Sequence, residues 1–298
     1  MKLTKTKANL LLVLVTVAWG LGFLCVKVAI NNGMSPAIIN IIRGFIFSFL
    51  ILVFFFPKIK NMKLYDFKIG LAIGIVNFLG FITQTVGAAY TTPSNSAFLS
   101  VTSVIMVPFL VWLFYGKRPT FILFISVIIC LYGMAWLTGF RSSRNISNIG
   151  DILSLVCAFF FALSIAMLGN SAKESEFAVI AFMLGITQMI GALIYFLIAE
   201  KAAVPAINWH NVILPILFLG VGSSFLAQTS QVVAQKYTSA SSAALIMTLE
   251  AVFASIFSVM FNYDKMSRSL IIGGALIMTS LLITKIDFTQ FKRNKTKN

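Results

Sequence analysis

Charge is scarce in this chain, and negative charge scarcer still. Among 298 residues there are 8 acids and one histidine, while 59% of residues are hydrophobic and 10% charged. A soluble fold of this length needs far more charge to cover its surface. The acids do not pair in sequence. His210 stands alone, and no base accompanies any serine or threonine that could act as a nucleophile. These absences argue against an enzyme and call for no metal or cofactor. Cysteine is equally sparse. Cys25, Cys130 and Cys157 are odd in number, far apart and inside apolar runs, so neither a disulfide framework nor a metal site is implied. They read as small buried hydrophobes. No polar segment is long enough for a soluble domain.

What is present is length and continuity of apolar sequence. Runs of about 20 residues recur, the length an α-helix needs to cross a hydrocarbon core. They are continuous rather than alternating, which selects helices over a closed barrel. Ten spans are expected, at roughly 9–30, 37–56, 68–90, 95–115, 120–138, 150–170, 177–199, 211–234, 240–261 and 268–285. The first is read as a retained span, since its apolar run continues to about Ile30 without a small-x-small cleavage site. The fold class is all-α integral membrane.

The net charge of +15 does not point to nucleic acid, because it is spread over short loops and tails. Cations flanking spans report orientation instead. With the N-terminus inside, sixteen lysines and arginines fall on the inner side and five on the outer, with Lys27 and Arg43 in or near spans. Both termini are then cytoplasmic. The expected partners are the lipid bilayer and a small-molecule substrate, and the sequence is compatible with a monomer without fixing the oligomeric state.

One stretch occurs twice. Shifting by 147 positions places Tyr90 on Tyr237, Thr91 on Thr238, Ser94 on Ser241, Ala97 on Ala244, Gln84 on Gln231 and Thr120 on Ser267. The chain therefore divides into a first five-helix unit at 8–138, a second at 150–285 and a basic cytoplasmic tail at 286–298. Five is odd, so the second unit lies inverted relative to the first, an arrangement common in alternating-access carriers.

A few polar residues lie at membrane depth, where they are costly. Glu250, near the middle of span nine, reads either as a coupling or gating group or as a structural acid bonded to a neighbouring helix. Arg43 can grip a carboxylate or phosphate, or hold helices together through carbonyls or Glu250. Lys27 lies close enough to a span end to snorkel to the interface. Trp19, beside Gly20 and Gly22, reads as a cavity wall or as packing. Asn77, Gln84, Ser164, Gln228 and Gln231 can line a wet pocket for a polar or zwitterionic metabolite, or act as interhelical glue. Gln84 and Gln231 are favoured by their equivalence across the repeat. Gln188 falls near the place in span seven that Arg43 holds in span two. Spans one, three, four, six, eight and nine are expected to line the pocket, with five and ten peripheral.

Trp19-Gly-x-Gly-Phe with Lys27, then Ser35-Pro36 and Arg43, resembles the opening of EamA-type permeases of the drug/metabolite transporter superfamily. The two Tyr-Thr stretches at Tyr90 and Tyr237 resemble its fourth and ninth spans. Gly116-Lys-Arg-Pro-Thr120 and Asn262 to Ser267 resemble the turns after them, and Gly150-Asp151 the start of its second repeat. Two departures stand out: Ala251 replaces the usual proline after Glu250, and Asn262-Tyr263-Asp264 replaces Leu-Gly-Glu. The resemblance implies a ten-span secondary transporter of the cytoplasmic membrane, moving a small polar metabolite such as an amino acid by alternating access, in the direction of efflux. A channel-like facilitator and a membrane-embedded lipid- or metabolite-processing enzyme are the alternatives.

Overall fold

A computed structural model describes residues 4–116, 118, 121–137, 149–171, 174–200 and 206–283. The basic tail at 286–298, the C-terminal edges of both expected repeat units, Thr120, and the loop cations Lys117, Arg141, Arg144, Lys173 and Lys201 lie outside the described residues. Among the described residues the fold is all helical. Eight elements are long and apolar enough to cross a membrane: α1 (Lys5–Asn31), α2 (Pro36–Lys60), α3 (Leu64–Tyr90), α4 (Pro93–Tyr115), α6 (Ile149–Ser171), α7 (Phe177–Glu200), α8 (Trp209–Gln235) and α9 (Ala240–Met260). Two shorter apolar helices are α5 (Phe121–Leu137) and α10 (Arg268–Ile283).

Several helices begin earlier than hydropathy suggests, because polar residues cap them. The Thr4 hydroxyl accepts from the Lys7 amide and starts α1. Ser35 accepts from Ile38 N with Pro36 in the first turn of α2. Thr92 and Pro93 do the same for α4. Such caps satisfy amides that have no partner within the helix. Distant carboxylates complete the task. Glu200 accepts from Ala37 N, and Asp264 from Ser94 N at 3.0 Å. Asn262 adopts a left-handed backbone, φ 60°, a conformation asparagine tolerates. It turns the chain just past the end of α9, and Asp264 lies two residues further on.

Two helices are broken near their middles. α4 consists of Pro93–Ser100 and Ser103–Tyr115, and α9 of Ala240–Met247 and Leu249–Met260. Val101, in the first break, falls on Thr248 under the 147-residue shift. Thr102 and Thr248 donate back to the carbonyls of Leu99 and Leu245. The α9 break thus exists without the proline that Ala251 replaces. α8 is unusual in another way. Phe218–Gln228 is a π-helix of 11 residues between α-helical ends, far longer than the single π turns that commonly mark functional sites. Pro215, Gly220 and Gly222 in and beside it weaken the ordinary ladder.

The main helix pairs are α2 with α7, α3 with α6 and α7, α1 with α9, and α5 with α10. Helix approach at the first of these is close enough to be backbone-limited. A Cβ on Gly44 would lie 2.5 Å from the Met189 amide nitrogen and 2.8 Å from the Gly185 carbonyl. Neither atom can move without moving α7. Gly44→Leu is therefore expected to abolish the monodisperse peak in size-exclusion chromatography of detergent extracts, whereas Phe45→Leu, on the exposed side of α2, leaves it in place.

Beside this crossing lies a buried polar network. Gln188 donates to Asn40 Oδ1 at 2.8 Å, and Asn40 donates to Thr85 Oγ1 at 3.0 Å. Gln188 thus ties α7 to α2 and α3.

Candidate functional site

Side chains from seven helices meet around a cavity of about 70 Å³. That is room for a few waters or a small solute. Trp19, Asn77, Gln84, Ser164, Gln228, Gln231, Arg43 and Glu250 all line it. Eight of the nine residues singled out in the sequence are thereby brought together. The lining helices are α1, α3, α4, α6, α8 and α9, as expected, together with α2, which sends in Arg43.

Arg43 is 2% exposed. Its Nε donates to Ser224 Oγ at 3.1 Å and its Nη2 to Ser223 Oγ at 3.3 Å. The guanidinium carbon lies 4.6 Å from the centre of the Phe81 ring. Among the described residues no carboxylate pairs with it. The ion pair there is Lys58–Glu176, at the end of the bundle where α1 begins. A guanidinium carries five N–H donors in a fixed fork, so two serine hydroxyls leave donor capacity directed at the cavity. Glu250 lines the same cavity from α9, and its carboxylate has no hydrogen-bond or ion-pair partner among the described residues. Ionisable groups at membrane depth are costly and ordinarily face a cavity or a partner, and both of these face the cavity.

The uncharged groups are also underused. Gln228 is 1% exposed and neither its Oε1 nor its Nε2 has a partner. Asn77 donates to Ser164 Oγ at 3.4 Å, yet its Oδ1 has none. Gln84 reaches Ser100 Oγ at 3.4 Å, and Gln231 reaches only the Met247 sulfur at 3.5 Å. Buried amides are ordinarily satisfied, and these leave hydrogen-bonding capacity at the cavity wall. Trp19 closes one wall, its indole N–H donating to the Ser223 carbonyl at 3.0 Å.

Lys27 stands apart from the cavity. Instead of reaching for the interface, its ammonium turns onto the end of α3, donating to the carbonyls of Ala88 at 2.7 Å and Thr91 at 2.9 Å. Four carbonyls at a helix end lack intrahelical partners, and a lysine there satisfies them and complements the dipole.

The sequence alone does not connect Ser223 and Ser224 to Arg43. The signal was Pro215 with Gly220 and Gly222, a cluster that disfavours a regular α-helix ahead of two consecutive serines. Asn40 was missed, and only its contact with Gln188 reveals it.

Fold and site together define a multi-pass membrane protein with charged and unsatisfied polar groups around an internal cavity. The chain belongs to the EamA-like transporter family, which matches residues 6–139 and again 148–286. A protein of Archaeoglobus fulgidus described as an uncharacterized transporter is 35% identical over 94% of this chain and 86% of its own length. The uncharacterized transporter YvbV of Bacillus subtilis is 23% identical over 95% of this chain and 92% of its own. A crystal structure of another protein superposes with a TM-score of 0.70 over 94% of this chain and 96% of that one, and its 14% identity makes it evidence of the shared fold alone. The protein is a membrane transporter.

Proposed function

We propose that this transporter is a secondary carrier for a small zwitterionic metabolite, an amino acid or a close relative. One observation carries the reading: a guanidinium and a carboxylate, neither paired by the protein, line one cavity together with the unsatisfied amide of Gln228. A zwitterion supplies both missing ions at once. Its carboxylate takes the free donors of Arg43 and its ammonium takes Glu250, while Gln228 and Asn77 remain for a polar side group. The cavity volume suits a solute of that size.

The membrane arrangement we infer is ten spans in two inverted five-helix repeats, residues 8–138 and 150–285, with both termini in the cytoplasm. Two separate family matches along the chain, and breaks at positions 101 and 248 that correspond across them, support it. Inverted repeats and interrupted helices at the binding depth suit alternating access, and efflux is the direction proposed. Counterflow in proteoliposomes loaded with unlabelled amino acids tests the carrier. Expected is a transient accumulation of labelled substrate above equilibrium. A channel gives equilibration without overshoot, and an enzyme gives a chemically altered label.

A further inference from the structure

Besides the cavity there is a second hollow, of about 420 Å³, at the end of the bundle where α1 begins. Its lining includes Lys5 from α1, Asn170 from the end of α6, Lys236, and the stretch Tyr237 to Ser241 at the start of α9. Two lysines line it and no carboxylate does, among the described residues. Lys236 donates one of its protons to the Ser175 carbonyl at 2.7 Å, leaving two. Thr238 is 6% exposed, lines the hollow, and its hydroxyl has no partner among the described residues. Ser239 caps α9 by accepting from Ser242 N, which leaves the other amides of the first turn without an intrahelical partner.

The opposite end of the bundle shows what belongs in such a place. Thr91 and Ser94, which the 147-residue shift places on Thr238 and Ser241, are both satisfied by carboxylates. The Thr91 hydroxyl donates to Asp151 at 2.6 Å, and the Ser94 amide to Asp264 at 3.0 Å. Those acids have no counterpart at the α9 start. The family matches begin at 6 and 148, so Asp151 falls on Asn9, and they end at 139 and 286, so Asp264 falls on Lys117. The broken helix of the first repeat is therefore sealed by carboxylates of the second. The broken helix of the second presents the same hydroxyl and helix start to lysines and open space.

We propose that this hollow is a binding site for a small oxyanion, a phosphate group, which takes the place that Asp151 and Asp264 fill at the start of α4. Lys5 and Lys236 supply charge, Thr238 a hydroxyl, and the first turn of α9 its amides and dipole. Burial lowers the pKa of Lys236 from lysine's ordinary value, a cost that an anion seated there offsets. The comparison of the two ends rests on the repeat reading above. Under the proposed orientation the site faces the cytoplasm, where the phosphate is either free or part of a lipid headgroup.

Thermal unfolding of the full-length protein tests the site. Inorganic phosphate is titrated against chloride at constant ionic strength in detergent, and the protein is compared in phosphatidylglycerol and phosphatidylcholine nanodiscs. Expected is a saturable rise in Tm on the order of 3 °C at tenfold saturation. A response to inorganic phosphate assigns the free ion, and a response to phosphatidylglycerol alone assigns the headgroup. Ser241→Asp, which supplies an internal carboxylate, is expected to abolish the rise, and Lys5→Gln to weaken half-saturation several-fold. The site is overturned if neither source raises Tm, or if both variants keep the full response. Failure here with counterflow intact removes only this site, whereas loss of counterflow with the phosphate response intact removes only the carrier reading.

Discussion

Replacing Arg43 by glutamine is expected to raise the half-saturation concentration for a zwitterionic substrate about ten- to a hundredfold, the equivalent of losing hydrogen bonds to a charged group. Glutamine keeps a donor that can reach Ser223 or Ser224, so α2 and α8 retain a link, but it brings no charge for a carboxylate. Arg43→Lys separates charge from geometry. It keeps the cation without the planar fork that spans two serines while facing the cavity, and an intermediate half-saturation is expected. Tm of each variant, measured beside transport, distinguishes a lost ligand contact from a lost fold. A folded Arg43→Gln protein with unchanged half-saturation would show that the guanidinium serves packing alone.

Glu250→Gln has the second large effect, and its signature is selectivity. The substitution is nearly isosteric and removes only charge. In the wild type, a zwitterion is expected to compete for transport at least tenfold better than the same molecule without its amino group, since a charge-assisted hydrogen bond contributes about 1.5 kcal/mol or more. In Glu250→Gln that advantage is expected to collapse toward unity, because the ammonium loses its counter-ion while the carboxylate keeps Arg43. Competition by the amino and des-amino compounds, measured in the same vesicles, reads the ratio directly. An unchanged ratio in a folded protein contradicts the assignment. If Glu250 also carries a coupling proton, the variant additionally loses any dependence of transport on pH.

Much of the candidate site was legible because a membrane makes polar residues conspicuous. In apolar runs an Arg43, a Glu250 or a Gln228 has few innocuous explanations, and spans of 21 to 27 residues place such groups well inside the membrane. What could not be read was how the helices deviate from regularity. The α4 break falls in Ser100-Val-Thr-Ser103, which contains neither glycine nor proline, while Pro108 lies inside a continuing helix and Pro57 follows only a kink at Phe55 near the end of α2. Neighbouring helices decide whether a proline breaks a membrane helix, since they can satisfy the freed groups. The caps by Glu200 and Asp264 were equally hidden, for they join residues more than a hundred positions apart. Arg43 entered the cavity from a helix not expected to line it, because its long side chain reaches past Gly44 and the close α2–α7 contact to the serines of α8. Lys27 illustrates the reverse. Its position near a helix end suggested the interface, yet the carbonyls ending α3 were nearer acceptors.

Competitive counterflow tests the central assignment most directly. Wild-type proteoliposomes loaded with unlabelled amino acids are given one labelled amino acid, together with an excess of a zwitterion, a simple carboxylate or a simple amine. Expected is an overshoot suppressed by the zwitterion and little affected by either singly charged compound. Equal suppression by the carboxylate or the amine alone, or flux without overshoot from folded protein, would contradict a cavity that reads both charges of one solute.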